Sequence, residues 1–336
     1  MLNFYKILFF CTLLVGTLIT ISSYSWFSMW LGLEINLLSM IPLMSNSKNL
    51  YPSESALKYF ITQALASSIV LFSIIVMMNL KESAPQDSEN LLMMILNSAL
   101  LTKVGAAPFH SWFPEVMEGL DWVNCLILLT WQKIAPMIMI MYNMNMTAFF
   151  SSIIIFSSLI SGILGLNQIS LRKIMAYSSI NHIGWMIAAM HSQSIWIVYF
   201  IVYTIISINI VTIFQQNKIF SIKQLNSILN QSKPLKILFI VNFLSLGGIP
   251  PFLGFIPKWL TINSLVNMNF YLISFILIIF TLVTLYFYLR ITFSTLTILS
   301  TETIINKIPV KNFLPFSVNF LTLSGLALCT LIFNYF

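Results

Sequence analysis

Charge is what this sequence has least of. Only 7% of its 336 residues are Asp, Glu, Lys or Arg, against about a quarter in a soluble domain. So few charges exclude a water-facing globule. The three cysteines, Cys11, Cys125 and Cys329, lie far apart in apolar runs, whereas a disulfide framework or a structural metal site needs closer grouping. The histidines His110, His182 and His191 are equally scattered. There is no Gly-rich phosphate loop, no flavin or nicotinamide fingerprint and no haem-type motif. The chain therefore reads as one without a redox centre or metal of its own. Its net charge of +7 does not point to nucleic acid, because the basic residues form no cluster with interleaved aromatics on a hydrophilic stretch.

What the chain has in abundance is apolar sequence. Hydrophobic residues make up 58% and the mean hydropathy is +0.92. A run of about 18 or more such residues spans a bilayer as a helix, and here such runs succeed one another. Barrel-like alternation is missing, and lipid offers backbone groups no partners, so the reading is an all-α polytopic membrane protein. Eleven transmembrane helices are predicted, roughly at 7–22, 26–44, 57–80, 91–109, 123–142, 149–166, 174–190, 195–214, 235–262, 270–290 and 313–333. The gaps at 81–90, 215–234 and 291–312 read as modest loops. The opening "MLNFYKILFFCTLLVGTLITISS" lacks a cleavage box and the Arg-rich look of an organellar presequence, and is expected to be the retained first helix.

The sparse basic residues orient the chain. If the N-terminus and the even-numbered connections share a side, that side holds Lys6, Lys48, Lys58, Arg172, Lys173, Lys218, Lys223, Lys233, Lys236, Lys307 and Lys311, with Arg290 at its edge. The other side holds Lys81 alone. By the positive-inside rule the N-terminus faces the electrically negative compartment and the C-terminus the positive one.

Lys103, Lys133 and Lys258 remain, each inside a span, and Glu34 is the one acid in a span interior. A charge at mid-bilayer costs about 2.5–3.5 kcal/mol even on mild scales. Function is favoured as the reason for keeping four of them. The structural alternative is that Glu34 pairs with a lysine to lock two helices, or that lysines snorkel to the interface. Mid-span placement makes snorkelling hard for Glu34 and Lys133, while for Lys258 it stays open. The neighbours of Lys133, Thr130 and Gln132, can hold water. His182, in "SLRKIMAYSSINHIGWM", is either a relay member or a hydrogen-bonded packing residue, and the same choice holds for His110 beside the break after Lys103. Glu115, Glu118 and Asp121 read as a solvated face.

Two breaks sharpen the functional reading. "KVGAAPFHSWFP" interrupts the fourth span and "LGGIPPFLGFIPKW" the ninth. Freed backbone groups are tolerated at membrane depth only against protein or a water-filled cavity, and paired Gly/Pro-broken spans point to a transporter's ion site. The breaks lie five helices apart, and an odd interval means the second unit inserts upside down. Two inverted five-helix repeats are therefore expected, at 1–146 and 147–295, with a C-terminal loop and helix at 296–336.

The stretches "LTKVGAAPFHSWFPEVMEG", "LTWQKIAPM", "LRKIMAYSSINHIGWM" and "FLSLGGIPPFLGFIPKW" resemble the antiporter-like membrane subunits of mitochondrial NADH:ubiquinone oxidoreductase, respiratory complex I, over essentially the whole chain. Most members have fourteen helices; the resemblance implies an animal-type truncated form whose first helix matches the family's fourth. It implies that Glu34 is the acid of a Glu–Lys pair, Lys103 its partner on the broken helix, Lys133 the central lysine of a proton path and Lys258 the lysine on the second broken helix. It further implies the mitochondrial inner membrane, with the N-terminus in the matrix and the C-terminus in the intermembrane space. NADH, FMN, iron–sulfur clusters and ubiquinone are expected elsewhere in the complex. Implied partners are the other membrane-arm subunits, including an adjacent antiporter-like subunit and the small chain 4L subunit, together with membrane lipids.

Energetically such a path is adequate. Moving one charge against 100 mV is worth about 2.3 kcal/mol, so about 180 mV demands about 4 kcal/mol, within what burial and a removable counter-charge impose on a lysine's proton affinity. A subunit of a stand-alone cation/proton antiporter and a purely structural scaffold are the competing readings.

Overall fold

The computed structural model describes residues 4–45, 49–80, 86–144, 146–229, 233–250 and 252–296. The span expected at 313–333 and the loop residues Lys48, Lys81, Lys307 and Lys311 lie outside them. The described chain divides into two compact units, Met1–Ile153 and Ile154–Phe336, and its ordered elements are α-helices. Among the described residues, seven helical stretches are long and apolar enough to cross a membrane, with Trp122–Met141 taken as one.

The first unit holds α1 (Phe4–Ser22), α2 (Trp26–Met44), α3 (Leu50–Leu80), α4 (Gln86–Val104), α5 (Trp112–Gly119), α6 (Trp122–Leu129) and α7 (Trp131–Met141), and α8 (Thr147–Leu166) begins in it. The hairpin of α1 and α2 is closed by glycine: a Cβ on Gly32 would lie 2.8 Å from the Gly16 carbonyl oxygen and 2.5 Å from the Thr20 methyl. Small residues let helix backbones approach in lipid, where no hydrophobic drive brings them together. The second unit continues with α9 (Leu171–Ala189), α10 (Gln193–Asn217), α11 (Ile222–Leu229), α12 (Lys233–Gly247), α13 (Phe255–Asn267) and α14 (Tyr271–Leu296).

The side-chain distribution suits lipid rather than water. Leu18, Leu65, Phe275 and Leu282 stand on the surface, while Ser73, Asn97, Asn209 and Thr284 are buried. Many interior hydroxyls donate back to the carbonyl three residues earlier, as Ser39, Ser73 and Thr261 do. Backbone of the same helix thereby satisfies them, and no second helix is needed.

Several expected boundaries change. Helix α3 begins at Leu50, seven residues before the span expected at 57–80, and α14 runs on to Leu296, into the loop expected at 291–312. The span placed at 91–109 ends at Val104, five residues early. The one at 123–142 is broken at Thr130 into α6 and α7. That break follows from Pro136, whose missing N–H and ring deny Gln132 its helical hydrogen bond. The span at 235–262 is split into α12 and α13, and the loop at 215–234 contains α11, whose Leu225 is fully buried.

Candidate functional site

The two Gly/Pro stretches end their helices the same way. At the end of α4, Gly105 takes φ +81°; its N–H donates to the Thr102 carbonyl, and the N–H of Ala106 donates to Leu101. At the end of α12, Gly248 takes φ +74°, its N–H donates to Ser245 and that of Ile249 donates to Leu244. Both are Schellman caps, which need a left-handed residue that glycine supplies without strain. Each cap leaves the negative end of a helix dipole inside the protein.

A buried lysine lies near each of these ends, by a different route. Lys103 belongs to the last turn of α4 itself. The matching position before the second cap is Leu246, and the cation comes instead from α13: Lys258 Nζ donates to the carbonyls of Gly247 at 2.8 Å and Leu246 at 3.3 Å. It also sits 5.8 Å from the Trp185 ring centre. Lys258 is 6% exposed and turns back into the chain, which removes the snorkelling alternative. Gly254 permits this return, since a Cβ there would collide with the Ser245 carbonyl.

Lys133 meets the opposite field. It is the third residue of α7, where the helix start presents its positive end and opposes a cation. Only 1% exposed, it has the face of Phe113 5.8 Å from its Nζ.

Lys103 and Lys133 line one cavity, with Asn36, Tyr59, Gln63, Trp112, Phe113 and Gln132 among its walls. The space open to water centres is ≈ 20 Å³, room for one or two waters. Its polar walls are tied together: Gln132 Nε2 donates to Asn36 Oδ1 at 2.8 Å, Tyr59 Oη to Gln132 Oε1 at 3.5 Å, and Gln63 Nε2 to the Lys103 carbonyl at 3.4 Å.

Glu34 is half-buried on α2. The ion pairs among the described residues are those of Lys58 with Glu54 and Glu115, 3.1 Å each, at the surface; Glu34 and Lys103 do not form one. His182 is buried, with Nδ1 2.8 Å from Tyr199 Oη and its ring packed on Tyr203. It lines a cavity of ≈ 10 Å³ whose wall includes Leu246 and Pro257, the carbonyl partner and chain neighbour of Lys258. His110 stands apart, half-buried in the break with Nδ1 3.3 Å from the Pro108 carbonyl.

Asn36, Tyr59 and Gln63 were missed in the sequence reading. A signal existed: Tyr59 and Gln63 are four apart on one face of an apolar helix, and Asn36 follows Glu34 by two residues. Among the described residues no group of three or more His, Cys, Asp or Glu is placed to hold a metal.

The family described as NADH:quinone oxidoreductase/Mrp antiporter, TM, matches residues 23–285. An Anopheles gambiae protein named NADH-ubiquinone oxidoreductase chain 2 is 53% identical over 85% of this chain and 84% of its own length. One of the same name from Aedes aegypti is 49% identical over 97% of both. In fold, a chain of respiratory complex I from Thermus thermophilus superposes with TM-score 0.87 at 22% identity, covering 97% of this chain and 78% of that one. The broken helices, their buried lysines and these relatives agree, and the chain belongs to the NADH:quinone oxidoreductase/Mrp antiporter membrane family.

Proposed function

We propose that this chain is a core membrane subunit of the proton-pumping NADH:ubiquinone oxidoreductase of the mitochondrial inner membrane, and that it forms one proton-translocation path. The observation that carries this reading is the cavity shared by Lys103 and Lys133. Two lysines buried around a space for water form a proton-exchange site. Glu34 acts on Lys103 as a movable counter-charge; with the two apart, the ammonium is free to lose its proton to the cavity. Lys133 accepts and passes it on. In the second unit, Lys258 serves the same chemistry at the C-terminal end of α12, with His182, which shares a cavity wall with Leu246, as a relay. His110, turned to the Pro108 carbonyl, is the weaker relay candidate.

The path is organised as two inverted repeats, 1–146 and 147–295, followed by the segment 296–336. The matching Schellman caps support that organisation. The matrix faces the N-terminus and the intermembrane space the C-terminus. Electron transfer, with NADH, FMN, iron–sulfur clusters and ubiquinone, belongs to other subunits; an adjacent antiporter-like subunit, the small chain 4L subunit and membrane lipids cover the apolar surface. A chain of the Mrp complex from Dietzia also shares the fold, with TM-score 0.81. The 49–53% identity to respiratory relatives favours the respiratory reading over a stand-alone antiporter.

The test is Lys103→Met, which keeps bulk and removes the charge. The variant should co-migrate with the NADH-oxidising assembly, while proton yield and coupled NADH oxidation fall about tenfold, a barrier change of about 1.4 kcal/mol. A normal proton yield per assembled enzyme would leave the lysine a structural role.

A further inference from the structure

The cavity between Lys103 and Lys133 holds a third functional element. We propose that Gln132, tied to Asn36 and Tyr59, is a positioning residue that holds the water bridging the two lysines. This rests on the proton-path reading above.

A water persists in a small buried space only with two to four polar partners. Around this cavity, Asn36, Tyr59, Gln63 and Gln132 are the neutral polar side chains in the wall. Gln63 spends a donor on the Lys103 backbone carbonyl. Tyr59 directs its hydroxyl at Gln132. The Gln132 amide uses one N–H on Asn36 and one oxygen lone pair on Tyr59. A glutamine has two of each, so one donor and one acceptor remain for water. Being able both to give and to accept, the amide serves a bridging water whichever lysine carries the proton.

Its placement is built in from several sides. Gln132 adjoins Lys133 on the first turn of α7, and the α6–α7 break with Pro136 fixes where that turn begins. Asn36 comes from α2 and Tyr59 from α3. Three helices therefore converge on one amide. The competing explanation is that the amide only ties these helices together.

The two explanations separate on volume. Leucine at position 132 fills the space and excludes water; serine opens it and lets water replace the lost amide. Proton translocation per assembled enzyme, measured in inner-membrane vesicles of mitochondria carrying each substitution, should fall about tenfold in Gln132→Leu and stay within about threefold of wild type in Gln132→Ser. A simple tie predicts equal behaviour of the two, since both lose the same hydrogen bonds; equal yields would overturn the proposal. If Gln132→Leu does not assemble, Asn36→Leu against Asn36→Ser puts the same question from the other end of the 2.8 Å bond, with the same outcomes. Lys133→Met, run alongside, separates the two levels of inference. Normal pumping by Lys133→Met overturns the proton-path reading and this proposal with it. Impaired pumping there beside normal pumping by Gln132→Leu overturns this proposal alone.

Discussion

A lysine that relays protons has to spend time neutral, which arginine does not do at any accessible pH. Lys133 is the sharpest place to apply that difference, because it is 1% exposed and sits where a helix start opposes a cation. Lys133→Arg keeps the charge and any partner of it, so the enzyme should assemble; it should nevertheless translocate protons as poorly as Lys133→Met. A structural cation predicts the reverse, with Arg near wild type and Met defective. Quinone-linked proton translocation in both variants, normalised to assembled enzyme, gives the answer, and near-normal pumping by the Arg variant would sink the relay role.

At the scale of elements, the breaks matter more than the spans. Gly105 and Gly248 hold positive φ, and a side chain there costs about 1–2 kcal/mol. Gly105→Ala should lower the temperature at which the assembled enzyme loses activity, and its Cβ would press on Phe113 at 3.3 Å. The more informative change is Pro136→Ala. It restores at position 136 an N–H that can donate to the Gln132 carbonyl, so α6 and α7 should move toward one continuous helix and draw Gln132 away from Asn36. The expected result is an enzyme at least as heat-stable as wild type with a reduced proton-to-NADH ratio. An unchanged ratio would mean that the break does not set the cavity. Pro136 was visible in "LTWQKIAPM", yet only breaks that combined glycine with proline were recognised from sequence. Proline six residues beyond the break leaves no local mark at Thr130 itself.

For the whole molecule, orientation is the claim most open to test. The loop after α10 carries Lys218, exposed and left-handed at φ 49°, a turn accessible to reagents although α11 packs behind it. Lys218→Cys should react with a membrane-impermeant maleimide in inside-out vesicles, which expose the matrix face, and not in mitoplasts. Labelling in mitoplasts would invert the topology. Protease is the poorer probe here, because the buried Leu225 anchors α11 and helical, packed backbone resists cleavage.

Composition alone decided that this chain belongs in lipid, since 7% charge cannot solvate a fold of this size. Apolar runs placed α1, α2, α8, α9 and α10 within three residues at each end. The cost of burying charge singled out Glu34, Lys103, Lys133 and Lys258 as the expected chemistry, because each is conspicuous against its apolar neighbours. Tertiary structure decided what those residues meet. That Lys258 reaches back to the carbonyls of Gly247 and Leu246, and that Lys103 shares a cavity with Lys133, depends on distant segments converging. The same is true of Asn36, Tyr59 and Gln132, which come from three helices. A neutral polar side chain in a span costs too little to stand out in a sequence. Its meaning comes only from the partner it finds.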